Sequence, residues 1–214
     1  MTLQELKKLV RQGEGLKVEF KRKTIYPYKI VKEVVAMANA QGGVLLIGID
    51  DNGTIAGLQN AKEDEFVLRK AIDTFCSPAV SYKTEQIKIN TNLSVLAFHI
   101  AESTQKPIYR LYDLQKNIGK AYFRVADKSL QASREIRKIL QYQDDNPYKG
   151  FSYGENERKL MKYLEKYNRI DVLSFAKLTE LKVFEASELL VRLTLCQLLK
   201  IVPQEDKDYF MMKE

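Results

Sequence analysis

Residues 39–57 read Asn-Ala-Gln-Gly-Gly-Val-Leu-Leu-Ile-Gly-Ile-Asp-Asp-Asn-Gly-Thr-Ile-Ala-Gly, and no other stretch constrains the fold as much. Gly42–Gly43 can stop a helix in a left-handed conformation without a Cβ clash, and the unbroken apolar run Val44–Ile49 fits a strand buried on both faces. Asn52–Gly53 then predicts a type I′ hairpin turn. A helix end, a central strand and a hairpin thus follow one another within a few turns of chain. The strand also runs into Asp50–Asp51, two carboxylates where a buried element meets solvent, which is where a site would lie.

The segments before this stretch are readable in the same terms. Thr2 and Glu5 form a capping box for an amphipathic helix that carries Leu3, Leu6, Leu9 and Val10 and stops at Gly13. In Glu14–Lys21 the residues Leu16, Val18 and Phe20 alternate with Lys17, Glu19 and Lys21, a half-buried strand pattern that turns Glu19 away from the core. Tyr26–Pro27 opens a helix to about Ala40, with Ile30, Val34, Met37 and Ala38 inward and Lys29, Lys32 and Glu33 toward solvent.

Beyond the hairpin, Asn60 and Glu63 predict a second capping box for a helix to about Phe75, ended by Ser77–Pro78. Val80–Asn90 and Leu93–Ala101 read as an antiparallel pair, Gly119–Val125 as a further strand and Ser133–Tyr142 as a capped helix. Residues 143–154 are polar and contain Pro and Gly, so they predict a linker between domains 1–142 and 155–214. The rear part orders three helices (Glu155–Tyr167, Asp171–Leu178, Phe184–Cys196) before two short strands, the sequence of elements of a winged helix-turn-helix. The fold class predicted is α+β.

Charge is distributed unevenly. Residues 1–151 hold 24 Lys+Arg against 17 Asp+Glu, whereas residues 152–214 hold 11 of each, so the whole net charge of +7 belongs to the front. Such a surplus attracts polyanions through counterion release, which makes nucleic acid the first partner to consider. No apolar run approaches the roughly 20 residues of a membrane span, and the charged start does not resemble a signal peptide, so the expected location is the cytoplasm and no membrane partner is expected. Cys76 and Cys196 lack metal-ligand or disulfide spacing, and the lone His99 has no nucleophile or base partner in the pattern.

Two basic clusters suit a phosphate backbone. Lys21-Arg22-Lys23 follows the first strand. Lys120, Tyr122 and Arg124 share one face of a later strand, where cations flank an aromatic ring, and Lys128 follows in the same block. The third helix of the rear part offers only Glu185, Glu188 and Arg192, poor equipment for a DNA-reading helix, and any exposed remainder of its leucines would favour a homodimer.

Three blocks in order, Glu14-Gly-Leu-Lys-Val-Glu-Phe-Lys21, Ala36–Gly43 running into Leu46–Gly57, and Ala121-Tyr-Phe-Arg-Val-Ala-Asp-Lys-Ser129, resemble the Schlafen-type AlbA_2 domain. That resemblance implies a mixed α/β sandwich that binds DNA or RNA without a required cofactor, followed by a winged helix in a transcriptional regulator. In the Schlafen nucleases two glutamates of the first block and an aspartate near the end of the central strand cleave RNA with a metal. Carried over by motif, these imply Glu14, Glu19 and Asp50 or Asp51 as catalytic residues, with Mg²⁺ or Mn²⁺ on Glu14, Glu19 and Asp51. Some relatives are described as ATP-binding, but no G-x-x-x-x-G-K-[ST] cradle is present.

Overall fold

The computed structural model describes residues 1–148 and 153–213, and the chain divides into two compact units, 1–131 and 132–214. In the front unit α1 (Leu3–Gln12), β1 (Val18–Lys21), α2 (Pro27–Asn39), β2 (Gly43–Ile47) and α3 (Ala61–Phe75) come first. They are followed by β3 (Cys76–Ser77), β4 (Tyr82–Lys88), β5 (Ser94–Ile100), β6 (Tyr109–Asp113), β7 (Ile118–Val125) and β8 (Lys128–Gln131). One sheet has the order β1-β2-β5-β4, with β1 parallel to β2 and the other pairs antiparallel, and a second has the order β3-β6-β7-β8. The fold is α+β. Among the described residues no helix is long and apolar enough to cross a membrane.

The apolar run of β2 is explained by cover on both sides. Leu45 and Ile47 join Leu96, Phe98 and Ile100 against α2 and α3, while Leu46 joins Phe20, Val95 and Ala97 against Leu6 and Val10 of α1. A strand with no solvent face has no reason to alternate. α2 is buried from Val34 through its end because its cluster also takes in Ile108, just before β6, and Tyr122 of β7, so one helix fills the space between two sheets. Its end is fixed at Gly42, whose N–H donates to the Met37 carbonyl (2.9 Å) at φ +67°. A Cβ there would lie 2.5 Å from the Ile100 carbonyl oxygen, so both conformation and space require glycine.

Several local expectations are corrected. Gly53 has φ +81° but Asn52 does not share a positive φ, so the turn is not type I′. Gly53 N–H closes it on the Asp50 carbonyl (2.8 Å) and Asp50 N–H pairs with the Thr54 carbonyl (2.9 Å), the pattern of a longer loop ending in a left-handed glycine. Asn60 precedes α3 without a side-chain cap. β1 is shorter than the alternation suggested, because Gly15 N–H turns back onto the Val18 carbonyl (3.0 Å). The capping box of Thr2 and Glu5 on α1 forms as expected. Cys76 is buried, and burial, with the nearby Asp73 charge, pushes its thiol up to about 12, which keeps it protonated and unreactive.

The rear unit contains α4 (Arg134–Tyr142), α5 (Glu155–Tyr167), α6 (Val172–Thr179), α7 (Val183–Leu195) and the antiparallel pair β9 (Leu199–Val202) and β10 (Tyr209–Met212). Its core joins Leu160, Leu164, Phe175, Leu190, Leu193 and Phe210. α4 belongs here rather than to the front unit: Arg134 donates to Ser187 (2.6 Å), and both Arg134 and Lys138 pair with Glu188 of α7. Of the linker expected at 143–154, residues 149–152 lie outside the described residues, and Asn146 is tied to the Leu195 carbonyl (3.1 Å). Leu189, Leu190, Leu193, Leu195 and Leu199 are buried and only Leu198 of that set is exposed, so the leucine run closes the unit's own core.

One titration follows from this unit. Asp171 caps α6, accepting the Ser174 N–H (3.0 Å), the Ser174 hydroxyl (3.0 Å) and the Lys207 ammonium (2.9 Å). Burial raises its pKa, but these donors outweigh burial and hold the carboxyl below the ordinary aspartate range. A depressed native pKa stabilises the fold above the unfolded pKa and loses that contribution as pH falls through the native one. Asp171→Asn should therefore lower the thermal midpoint at neutral pH, with the gap closing as pH drops below about 4. A gap that persists unchanged into acid would show that Asp171 carries no such linkage.

Candidate nucleic-acid interface

β1 delivers the basic run to the surface. The strand ends at Lys21, Arg22 and Lys23 follow in the exposed loop, and Pro27 starts α2 with Lys29 and Lys32 in its first two turns. Arg110 of β6 approaches from the second sheet. Together Lys21, Arg22, Lys23, Lys29, Lys32 and Arg110 line a cleft of about 550 Å³ in which Glu33 is the one carboxylate lining residue. Aromatic rings lie among these cations: Lys29 Nζ is 4.8 Å from the Tyr26 centroid, and Arg110 Cζ is 4.4 Å from Tyr28 and 5.1 Å from Tyr122. Ile25 (68% exposed) and Tyr26 (65%) stand at its rim. Lys29, Lys32, Arg110 and Tyr26 are the members that the sequence reading did not bring to this site, because they come from different elements.

The face predicted on β7 is real, but α2 covers most of it. Lys120 is exposed opposite Arg110 in the register, whereas Tyr122 is buried against α2 and accepts a hydrogen bond from Arg110 (3.0 Å). Arg124 is 1% exposed and is not available to a phosphate. Its guanidinium pairs with Glu19 (2.6 Å) and Glu33 (3.0 Å) and donates to the Gly15 carbonyl (2.9 and 3.1 Å), the Val18 carbonyl (3.2 Å) and Ser129 (3.2 Å). This is a structural centre joining β1, α2, β7 and β8. Lys128, on β8, is exposed.

The carboxylates expected to act in catalysis are engaged elsewhere. Glu19, turned away from Phe20 as expected, is nevertheless buried, since Arg124 and Lys21 cover it. Glu14 accepts the Phe20 N–H (2.8 Å), and burial raises its pKa against that hydrogen bond, helped by the neighbouring Glu19 charge. Asp50 pairs with Arg22 (3.3 Å), and Asp51 is exposed in its turn. Glu14 and Glu19 thus come together, but Asp51 does not join them, and among the described residues no group of three or more His, Cys, Asp or Glu could hold a metal ion. The donor set expected for Mg²⁺ or Mn²⁺ does not fit one. His99, near the end of β5, lies 3.3 Å from Glu85 of β4.

The front unit is therefore an α+β domain with a buried charge centre and a basic, aromatic-lined cleft. The family profile "Schlafen, AlbA_2" matches residues 14–133, and the chain belongs to this family. Among solved structures the chain is similar to the DIP2311 protein of Corynebacterium diphtheriae (26% identity, TM-score 0.43), covering 59% of this chain and 24% of that one. It is also similar to the N-terminal domain of a RecG-related protein of Nitrosomonas europaea (23% identity, TM-score 0.45), covering 63% of this chain and 93% of that one. No curated protein matches.

Proposed function

We propose that this protein binds nucleic acid through its front unit and acts as a transcriptional regulator in the cytoplasm. One observation carries the reading: six cations from β1, its following loop, α2 and β6 converge on one cleft that holds a single lining carboxylate. The family membership supports it, and so does the net positive charge of the front residues. On this reading the rear unit is a winged helix-turn-helix that serves an accessory role. Most of α7 is buried, Glu188 is paired with Arg134 and Lys138, and Arg192 is paired with Glu157 (2.8 Å), so few of its side chains are left to read a groove.

The test is fluorescence anisotropy of labelled DNA and RNA over a salt series. The triple variant Lys23→Ala/Lys29→Ala/Lys32→Ala is expected to bind at least about tenfold more weakly, and its log K against log salt to be shallower by about 2 to 3. Wild-type protein without salt-dependent binding, or a triple variant with unchanged affinity and slope, would overturn the reading.

A further inference from the structure

Within the cleft Arg110 differs from the exposed Lys23 and Lys29 in being a half-buried cation that no carboxylate pairs with among the described residues. Arg110 is half-buried, its guanidinium held between the rings of Tyr28 and Tyr122, and its Nε is buried with no hydrogen-bond partner. The hydrogen bond it makes to a side chain goes to the neutral Tyr122 hydroxyl, and among the described residues no carboxylate pairs with it. Arg124, the other inward-facing arginine of the second sheet, has two carboxylates. A partly desolvated guanidinium without an anion is costly, and the two rings have already fixed its orientation, so an arriving anion pays little ordering entropy. Lys29 and Lys32 line the same cleft, with Lys32 Nζ 5.7 Å from the Tyr122 centroid.

We propose that Arg110, Lys29 and Lys32 form a seat for one backbone phosphate of a single-stranded nucleic acid, whose adjacent base lies on the exposed Tyr26 and Ile25. The inference rests on the nucleic-acid reading above and names its substrate class. A planar guanidinium matches two phosphate oxygens at once. The rim decides between strand types. An unpaired base has a free face for Tyr26 and Ile25, whereas the bases of a duplex are already stacked on each other. Arg110 is also recessed in the cleft rather than raised on a convex surface, which suits a strand that can bend into it.

The full chain is titrated by anisotropy with a fluorescein-labelled oligonucleotide of mixed sequence, as single strand and as duplex. The single strand is expected to bind at least about tenfold more tightly. Arg110→Lys, which keeps the charge but loses the planar fork, and Tyr26→Ala should each remove most of that preference while duplex binding changes little. Lys29→Ala/Lys32→Ala, on the outer face of α2, tests the seat independently should Arg110→Lys disturb packing, and is expected to lower the single-strand salt slope by about 1. Equal salt-dependent affinity for both forms, or an undiminished preference in all three variants, overturns the seat and leaves the nucleic-acid reading standing. Absence of salt-dependent binding to either form overturns both.

Discussion

Arg124→Met is expected to destabilise the front unit by about 3–5 kcal/mol, enough to unfold a marginal domain. The loss comes from the partners left behind. Without the guanidinium, Glu33 keeps Ser129 and a distant Lys32 (4.0 Å), Glu19 keeps Lys21 as its cation, and the Gly15 and Val18 carbonyls lose the Arg124 donor. Methionine replaces much of the volume, so the experiment reads charge and hydrogen bonds rather than a cavity. Guanidinium unfolding of the variant should show a lower midpoint with unchanged slope. Adding Glu19→Gln and Glu33→Gln to the same chain should recover part of the loss, because an ion cluster removed whole costs less than one cut in half. A single variant within about 1 kcal/mol of wild type would show that Arg124 is not the centre described.

Asn39→Leu should have the next largest effect, about 3 kcal/mol or more. Asn39 is fully buried at the end of α2, and both atoms of its amide are engaged: Nδ2 donates to the Ile108 carbonyl (2.8 Å) and the Tyr122 carbonyl (2.9 Å), and Oδ1 accepts the Ile108 N–H (2.7 Å). Leucine has a similar size but removes a hydrogen-bond partner from three backbone groups, and each one left unpaired costs about 1–3 kcal/mol before relaxation. Hydrogen exchange of the Ile108 amide reports the site directly, and it should accelerate by more than the global loss predicts. An Ile108 amide as protected as before would mean that another donor or water has taken the place of Asn39.

Much of the fold was legible because local signals and buried surfaces agreed. Gly42 and the apolar β2 were readable as a helix stop and a two-sided strand, and the front helices and the β4–β5 pair lie where their patterns put them. β6 and β8 were not foreseen. They are short, and polar side chains dominate their exposed faces, so no period stands out. The site was legible in part. Lys21, Arg22 and Lys23 are adjacent in sequence and face the cleft together, but Arg124 was expected beside them as a phosphate contact and is instead enclosed.

The sequence by itself determined which residues are apolar in which period, where glycine must break a helix, and that the positive surplus belongs to residues 1–151. Those properties are local or additive, so a linear reading reaches them. Only the tertiary structure decided which charges remain at the surface. Arg110 and Arg124 lie on the same face of one sheet, yet α2 brings Glu33 to Arg124 and lysines to the cleft that Arg110 shares. A charge is neutralised or left available by what packs against it in space, and that partner is set by helix placement across residues distant in the chain.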